Sequence, residues 1–365
     1  SPRYRPSART SPASSPPPGD LVAGAGPGQI KTIHFFDASG NFCIKLAGAA
    51  RPAMTVRPDP AIARWIRREL ALAPPRAKSL VVTVWGDALA PHGGKVWLSG
   101  LIRLLAPLGI NERLARTSVY RLTREDWLAG RQAGRRSVYR LTASGRRRFE
   151  HAYRRIYAPP AEAWDGRWEL LLARAAGGTG GHRKLRQALG WEGYAAIMAG
   201  VYARPARPGQ TSPAEIVAAL GLERDVSLLR GRDVRGAALP LSSRVRQGWD
   251  LASLDADYRR FIRRFRSVVE LLHAKAAPDP GQCFVVRTLL IHEFRRVTLH
   301  DPQLPAQMLP ASWHAHDAYA LCRDFYRLNY RWAEQHLATT LEVDGGPLPP
   351  AAPYFYARFG GLTAS

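Results

Sequence analysis

Between Asn111 and Leu141 the chain carries side chains whose types and spacing suit hydrogen bonding to a polyanion. Arg113, Arg116, Thr117, Tyr120 and Arg124 recur at i, i+3, i+4, i+7 and i+11, which places them on one face of a helix. Arg121 adds a further guanidinium to that helix. Leu114, Ser118, Val119 and Leu122 fall on the opposite face. An arginine offers a planar fork of donors that fits O6 and N7 of guanine, and it also neutralises phosphate. Arg135 and Arg136 follow Gly134 between two short runs that read as strands, so a hairpin tip would carry them to a phosphate or a minor groove. A basic helix face alone is as often simply solvated. The Gly-Arg-Arg turn beside it makes DNA contact the stronger reading.

Other residues could do chemistry, and each has a plainer explanation. His314 and His316 form an HxH followed by Asp317, but that spacing is not helical i, i+4 and lacks an evident third ligand. His292-Glu293 reads as a helix face. The glycines of Gly177-Gly178-Thr179-Gly180-Gly181 could cradle a phosphate through backbone amides, yet no Lys-Ser/Thr follows as in a P-loop. No Ser-His-Asp or Cys-His arrangement can be argued. The expectation is therefore no catalytic residue, no metal site and no cofactor.

The elements that must position the basic face can be read from periodicity. Ile62–Leu72 is an amphipathic helix broken by Pro74-Pro75. Ser79–Leu89 is expected to be helical, and Val96–Leu105 has helical spacing through Leu98, Leu101, Ile102 and Leu105. Asn111 can cap the basic helix, and Thr142 the helix bearing Arg146, Arg147 and Arg148. The order is helix, helix, turn, basic helix, strand, wing, strand, which is a winged helix-turn-helix over 78–158. Trp168–Ala173, a helix from His182 to Leu189, the strand-like VYARP run and a helix over Thr211–Leu220 suggest a ferredoxin-like α+β domain over 159–250. A long helix over Asp255–His273 buries Tyr258, Phe261, Ile262, Phe265, Val268, Val269 and Leu272, and opens a helical domain over 251–341. Residues 54–77 are an N-terminal helix and linker, and 342–365 are expected to be irregular. Residues 1–53, rich in Pro, Ser, Ala and Gly, read as a disordered or non-native extension, with KTIHFFDASGNFCIKL able to form a hairpin.

Formal net charge is +24, and residues 78–158 alone hold 16 Lys/Arg against 5 Asp/Glu. A cation excess in the segment with the helix–hairpin pattern favours a nucleic-acid partner. Cys43, Cys283 and Cys322 lie far apart without a CxxC, which argues against a zinc finger or a disulfide scaffold and for a reducing cytoplasm. No apolar run approaches a membrane span.

From about Lys78 to Leu337 the chain resembles the PaaX family of bacterial repressors of phenylacetic acid degradation. The resemblance runs through KSLVVTVWGDALAPHGGKVWLSGLIRLLAPLGINERLARTSVYRLTREDWL, GRRSVYRLTASGRRRFEHAYRRIY, WDGRWELLL, HEFRRVTLHDPQLPAQMLP and YALCRDFY. It implies a GntR-like winged helix, a middle domain similar to the Cas2 fold and a helical C-terminal domain linked to dimerisation. It also implies a homodimer on a palindromic operator in double-stranded DNA, released by an aryl-acyl-CoA such as phenylacetyl-CoA. Carried onto this chain, Asn111–Glu125 would be the recognition helix and Gly134–Arg136 the wing tip. An acyl-CoA ligand asks for cations and an aromatic slot. Arg167, Trp168, Arg183, Lys184, Arg186, Trp191 and Tyr202 supply both residue types in the middle domain, although core packing and solvated charge are their plainer roles. Two alternatives stand beside the repressor. One is a metal-dependent nuclease acting through the Cas2-like domain, which WELLLARAA disfavours by lacking a carboxylate at its C-terminal end. The other is a structural DNA-binding protein without an effector.

Overall fold

The computed structural model describes residues 57–362 apart from 160–163, 175–178, 235, 237 and 344–345, together with strands β1 (Thr32–Phe36) and β2 (Phe42–Leu46). β1 and β2 pair antiparallel with Thr32 opposite Leu46, inside the stretch expected to form a hairpin. The rest of the expected N-terminal extension lies outside the described residues.

Helix α1 (Pro60–Leu72) starts at Asp59, whose Oδ1 accepts from the amides of Ala61 and Ile62 at 2.8 and 3.1 Å. Pro60 at the first helical position loses no hydrogen bond there. Helix α2 (Ala77–Val84) runs on through a π-helical turn at Trp85–Leu89, so the valines of this segment are helical and buried with Leu80. Strand β3 (Lys95–Trp97) corrects the expectation that Val96 opens a helix. Val96 is opposite Tyr139 and fully buried, and the β-branched and aromatic pair Val96-Trp97 joins a sheet instead. Helix α3 (Leu98–Leu105) follows, then α4 (Glu112–Arg124), β4 (Leu128–Ala133), β5 (Arg136–Leu141) and α5 (Ala143–Tyr157). The three strands form an antiparallel sheet in the order β3-β5-β4.

The next part comprises β6 (Trp168–Ala173), α6 (Thr179–Trp191), β7 (Ala195–Met198), β8 (Val201–Pro205), α7 (Pro213–Ala218) and β9 (Val226–Gly231). The sheet order is β7-β8-β6-β9 and every pairing is antiparallel. Each helical crossover thus joins two strands with a third inserted between them. Leu171, Leu185, Leu189, Tyr194, Tyr202, Ile216 and Val217 form a small core between one sheet face and the helices. Trp168 and Ala203 join the main core instead.

Helix α8 (Leu241–Gln247) leads to α9 (Leu251–His273), α10 (Pro280–Thr298) and α11 (Ala315–Thr340). All seven apolar residues expected on the buried side of the long helix are buried in α9. α10 is buried nearly all round because α1, α2, α5, α9 and α11 all pack against it. The short strands β10 (Glu342–Val343) and β11 (Gly346–Pro347) and helix α12 (Pro353–Tyr356) complete the chain. The tail expected to be irregular is in fact packed: Phe355, Arg358, Phe359 and Leu362 are buried. Its prolines punctuate the path, but its aromatic residues fill the core.

One consequence of this packing is an acid sensitivity. His292 of α10 is 2% exposed, with Nδ1 2.8 Å from Thr83 Oγ1. Burial, reinforced by Arg295, Arg296 and Arg264, holds the imidazole down at about 3. The unfolded chain takes up a proton below its ordinary pKa of about 6.5 while the folded chain does not, so stability falls as pH drops from there. The contribution is about 2 kcal/mol between pH 7 and pH 5. Urea unfolding of His292→Leu at the two pH values should show a pH-dependent loss smaller by that amount, and an unchanged loss would place the sensitivity in other groups.

Candidate nucleic-acid interface

Asn111 caps α4 by accepting from Leu114 N at 2.9 Å. The buried side of the helix is Ala115, Ser118, Val119 and Leu122, packed on α2 and α3. Leu114, expected on that side, is 44% exposed, and Ala115 takes its place. Arg113, Arg116, Thr117, Tyr120, Arg121 and Arg124 are all exposed, with Tyr120 at 64%. An acid does neighbour the stripe. Arg116 Nε donates to Glu112 Oε1 at 2.8 Å, one turn back. An exposed pair of this kind contributes only about 0–1 kcal/mol, so Arg116 can exchange it for another acceptor. Thr117 Oγ1 donates to Arg113 O at 2.9 Å.

The β4–β5 hairpin pairs Ala133 with Arg136 and leaves Gly134-Arg135 as a two-residue loop. Gly134 has φ +60°, a left-handed conformation that favours glycine at the first position of such a loop. Arg135 is therefore at the tip, whereas Arg136 begins β5 with its guanidinium 5.9 Å from the Trp97 ring. Both are exposed. Phosphate contacts set the salt dependence of binding without carrying sequence information. The double variant Arg135→Ala/Arg136→Ala should lose affinity for specific and random DNA alike, with a shallower slope against log salt. A fixed slope with loss confined to one sequence would make the hairpin a base reader.

α5 is fastened to the end of the basic helix. Thr142 Oγ1 accepts from Gly145 N at 2.9 Å and donates to Asp126 O at 2.7 Å. A Cβ on Gly145 would lie 2.2 Å from Trp127 O, so only glycine permits this approach. Arg148 stacks over Trp127 at 4.8 Å.

The turn after α2 carries a buried ion cluster whose partners no local sequence pattern announces. Asp87 Oδ2 accepts from Arg287 Nε at 2.8 Å, and Asp87 Oδ1 accepts from Tyr157 OH at 2.6 Å and also from Tyr326 OH. Arg358 donates to Asp87 O at 3.0 Å and to its Oδ1 at 3.2 Å. Arg287 also reaches Glu334 Oε1 at 2.7 Å, and Glu334 Oε2 lies 2.8 Å from His92 Nε2. Burial alone would raise the Asp87 carboxyl, but Arg287 and Arg358 outweigh it and hold the group below the usual carboxylate range. The cluster ties the α2 turn to α5, α10, α11 and the tail.

The residues selected as a ligand set in the middle domain are dispersed. Trp168 and Tyr202 are buried in different cores, Arg167, Arg183, Lys184 and Arg186 are exposed, and Trp191 is 40% exposed. The carboxylate at the start of β6 is occupied: Glu169 accepts from Arg204 Nε at 2.9 Å and from Arg230 Nε at 3.0 Å. His314 Nδ1 lies 2.9 Å from Asp255 Oδ1, which pairs the imidazole with a carboxylate of α9. Among the described residues no three His, Cys, Asp or Glu side chains are grouped to hold a metal ion. Among the described residues no helix is long and apolar enough to cross a membrane.

Residues 76–145 match the family model for PaaX-like protein, and residues 249–339 match that for the PaaX-like protein C-terminal domain. Over 307 residues the chain is 35% identical to the transcriptional repressor PaaX of Escherichia coli (strain K12), covering 82% of this chain and 94% of that protein. Among solved structures, an uncharacterized protein from Mycobacterium tuberculosis is 26% identical, with a TM-score of 0.47 over 72% of this chain and 98% of that one.

Proposed function

The chain belongs to the PaaX-like protein family, and from that premise we propose that it is a DNA-binding transcriptional repressor. The observation that carries this reading is the exposed Arg/Thr/Tyr face of α4 beside the arginine-tipped β4–β5 hairpin, both inside the segment that matches the family. In this reading α2, α3 and α4 with the β3-β5-β4 sheet form a winged helix. α4 enters a major groove, and the hairpin follows the flanking backbone. The order β7-β8-β6-β9 supports reading the middle part as a ferredoxin-like, Cas2-like domain. The protein acts as a cytoplasmic, nucleoid-associated homodimer on a palindromic operator of a phenylacetate or related aromatic-acid operon. An aryl-acyl-CoA such as phenylacetyl-CoA releases it by binding the DNA-free conformation more tightly.

The nuclease reading has little support, because Glu169 is held by Arg204 and Arg230 rather than open to a cation. The test is a gel shift on DNA upstream of a phenylacetate operon, with phenylacetyl-CoA, phenylacetate or CoA added at equal concentration. Release is expected with the thioester alone. Equal release by phenylacetate would overturn thioester sensing and leave repression standing. Binding without sequence preference or ligand response would make the protein an effector-independent DNA binder, and Mg²⁺-dependent cleavage of the duplex would revive the nuclease.

A further inference from the structure

We infer that a cavity of about 460 Å³ between α5, the segment after β8, α9 and α10 binds the aromatic acyl end of a carboxylic acid or of its thioester. The inference rests on the effector reading above and gives that effector a site. A volume of this size falls within the roughly 300–1,000 Å³ of small-molecule sites. Its apolar walls include Tyr258, Phe294 and Trp313, all nearly inaccessible, and half-buried Tyr319.

Two guanidiniums at this cavity lack full partners. Arg155 donates to Trp191 O at 2.8 Å and to Asp301 O at 2.5 Å, yet its Nε is buried without an acceptor. Arg207 Nε is likewise buried and unpartnered, and its guanidinium forms no ion pair within 4.0 Å among the described residues. Burial depresses the Arg207 guanidinium to about 10, and Arg155 and Arg204 add to that depression against the opposing pull of Asp301. The nearby acids pull on these guanidiniums from a distance while their oxygens hold other groups. Asp301 accepts from Tyr258 OH at 2.7 Å and from Gln303 N at 2.6 Å, and Glu192 lies 3.3 Å from His151. A buried donor without an acceptor is costly, so a ligand carbonyl or carboxylate oxygen would remove a penalty already present in the folded chain. The ring of the same ligand would pack on Trp313 and Phe294.

The position of the cavity also gives the ligand a mechanical route to the DNA. His151, Arg154 and Arg155, which line it, belong to the C-terminal half of α5. The N-terminal end of α5 is fastened at Gly145 and Arg148 to Trp127, directly after α4. A ligand that draws Arg155 from Trp191 and Asp301 therefore pulls on the same rigid helix that seats α4. Coupling requires a two-state element, and Arg155, held by Trp191 and Asp301 in the ligand-free chain and drawn onto the ligand in the proposed complex, would supply it.

Isothermal titration of the full-length protein with phenylacetyl-CoA and, separately, phenylacetate tests the site. Arg207→Gln removes the unpaired cation, and Leu309→Trp fills the cavity while leaving both guanidiniums. Both variants should bind the active probe at least tenfold more weakly, with unchanged operator affinity in the absence of ligand. Arg207→Gln should also unfold no earlier than the parent, which a purely structural arginine would not allow. Whichever probe binds in this way identifies the source of the acyl group. Parental affinity in both variants would overturn the site and leave the effector reading intact. Variant-sensitive binding without operator release would keep the site and overturn the release. Absence of binding by both probes would overturn both.

Discussion

Replacing Asp87 with alanine should destabilise the protein by about 3–5 kcal/mol, because removing one partner leaves buried charge uncompensated. Two cations lose a shared counterion at once. Arg287 and Arg358 are both fully buried, and Asp87 provides both carboxylate oxygens and its carbonyl to them. Arg287 keeps Glu334. Among the described residues the ion pairs of Arg358 run to Asp87 alone. Urea unfolding measures the loss directly, and Asp87→Asn, which keeps the volume but not the charge, should recover only part of it. A loss under about 1 kcal/mol would mean that water or a rearranged tail satisfies both arginines, and the cluster would then not brace the α2 turn. The outcome bears on function because Tyr157 shares Asp87, so the C-terminal end of α5 and the turn after α2 are held by the same carboxylate.

The parts legible in the sequence were those whose signal is local. The caps at Asn111 and Thr142 and the stripe on α4 each depend on residues a few positions apart, and each is present. β3 was hidden because the apolar spacing of α3 continues backward through Val96, and only pairing with Tyr139, 43 residues later, makes that residue a strand. β9 was missed because five of its six residues are exposed and give no alternation. Asp87 did carry a signal, being a lone carboxylate in the apolar run VVTVWGDALA. A buried acid demands cationic partners, but Arg287 and Arg358 lie 200 and 271 residues away, and no spacing rule points to them. The acyl cavity was illegible for the same reason: its walls come from α5, the segment after β8, α9, α10 and the 301–319 segment. The middle-domain set shares residue types within one stretch, and type alone does not show that Trp168 and Tyr202 belong to different cores.

Arg116→Ala should abolish most of the preference for operator over random DNA. A bidentate arginine–guanine contact is worth about 1–3 kcal/mol of discrimination, so a dimer on two half-sites should lose about 2–6 kcal/mol, roughly thirtyfold or more in Kd. The fold should be unaffected, because the Arg116 side chain is 57% exposed and, among the described residues, its ion pair is with Glu112 on the same helix. That pair also supplies a control. Glu112→Gln frees Arg116 without removing it, so it should leave operator binding equal or tighter, since the arginine no longer exchanges one acceptor for another. Competition gel shifts against random DNA separate the possible roles. A base contact lowers operator affinity selectively, whereas a phosphate contact lowers both affinities in parallel and flattens the salt slope, as expected for the Arg135/Arg136 pair. Unchanged affinity for both DNAs would remove Arg116 from the interface and move base readout to the other exposed donors of α4, Thr117 and Arg121 first among them.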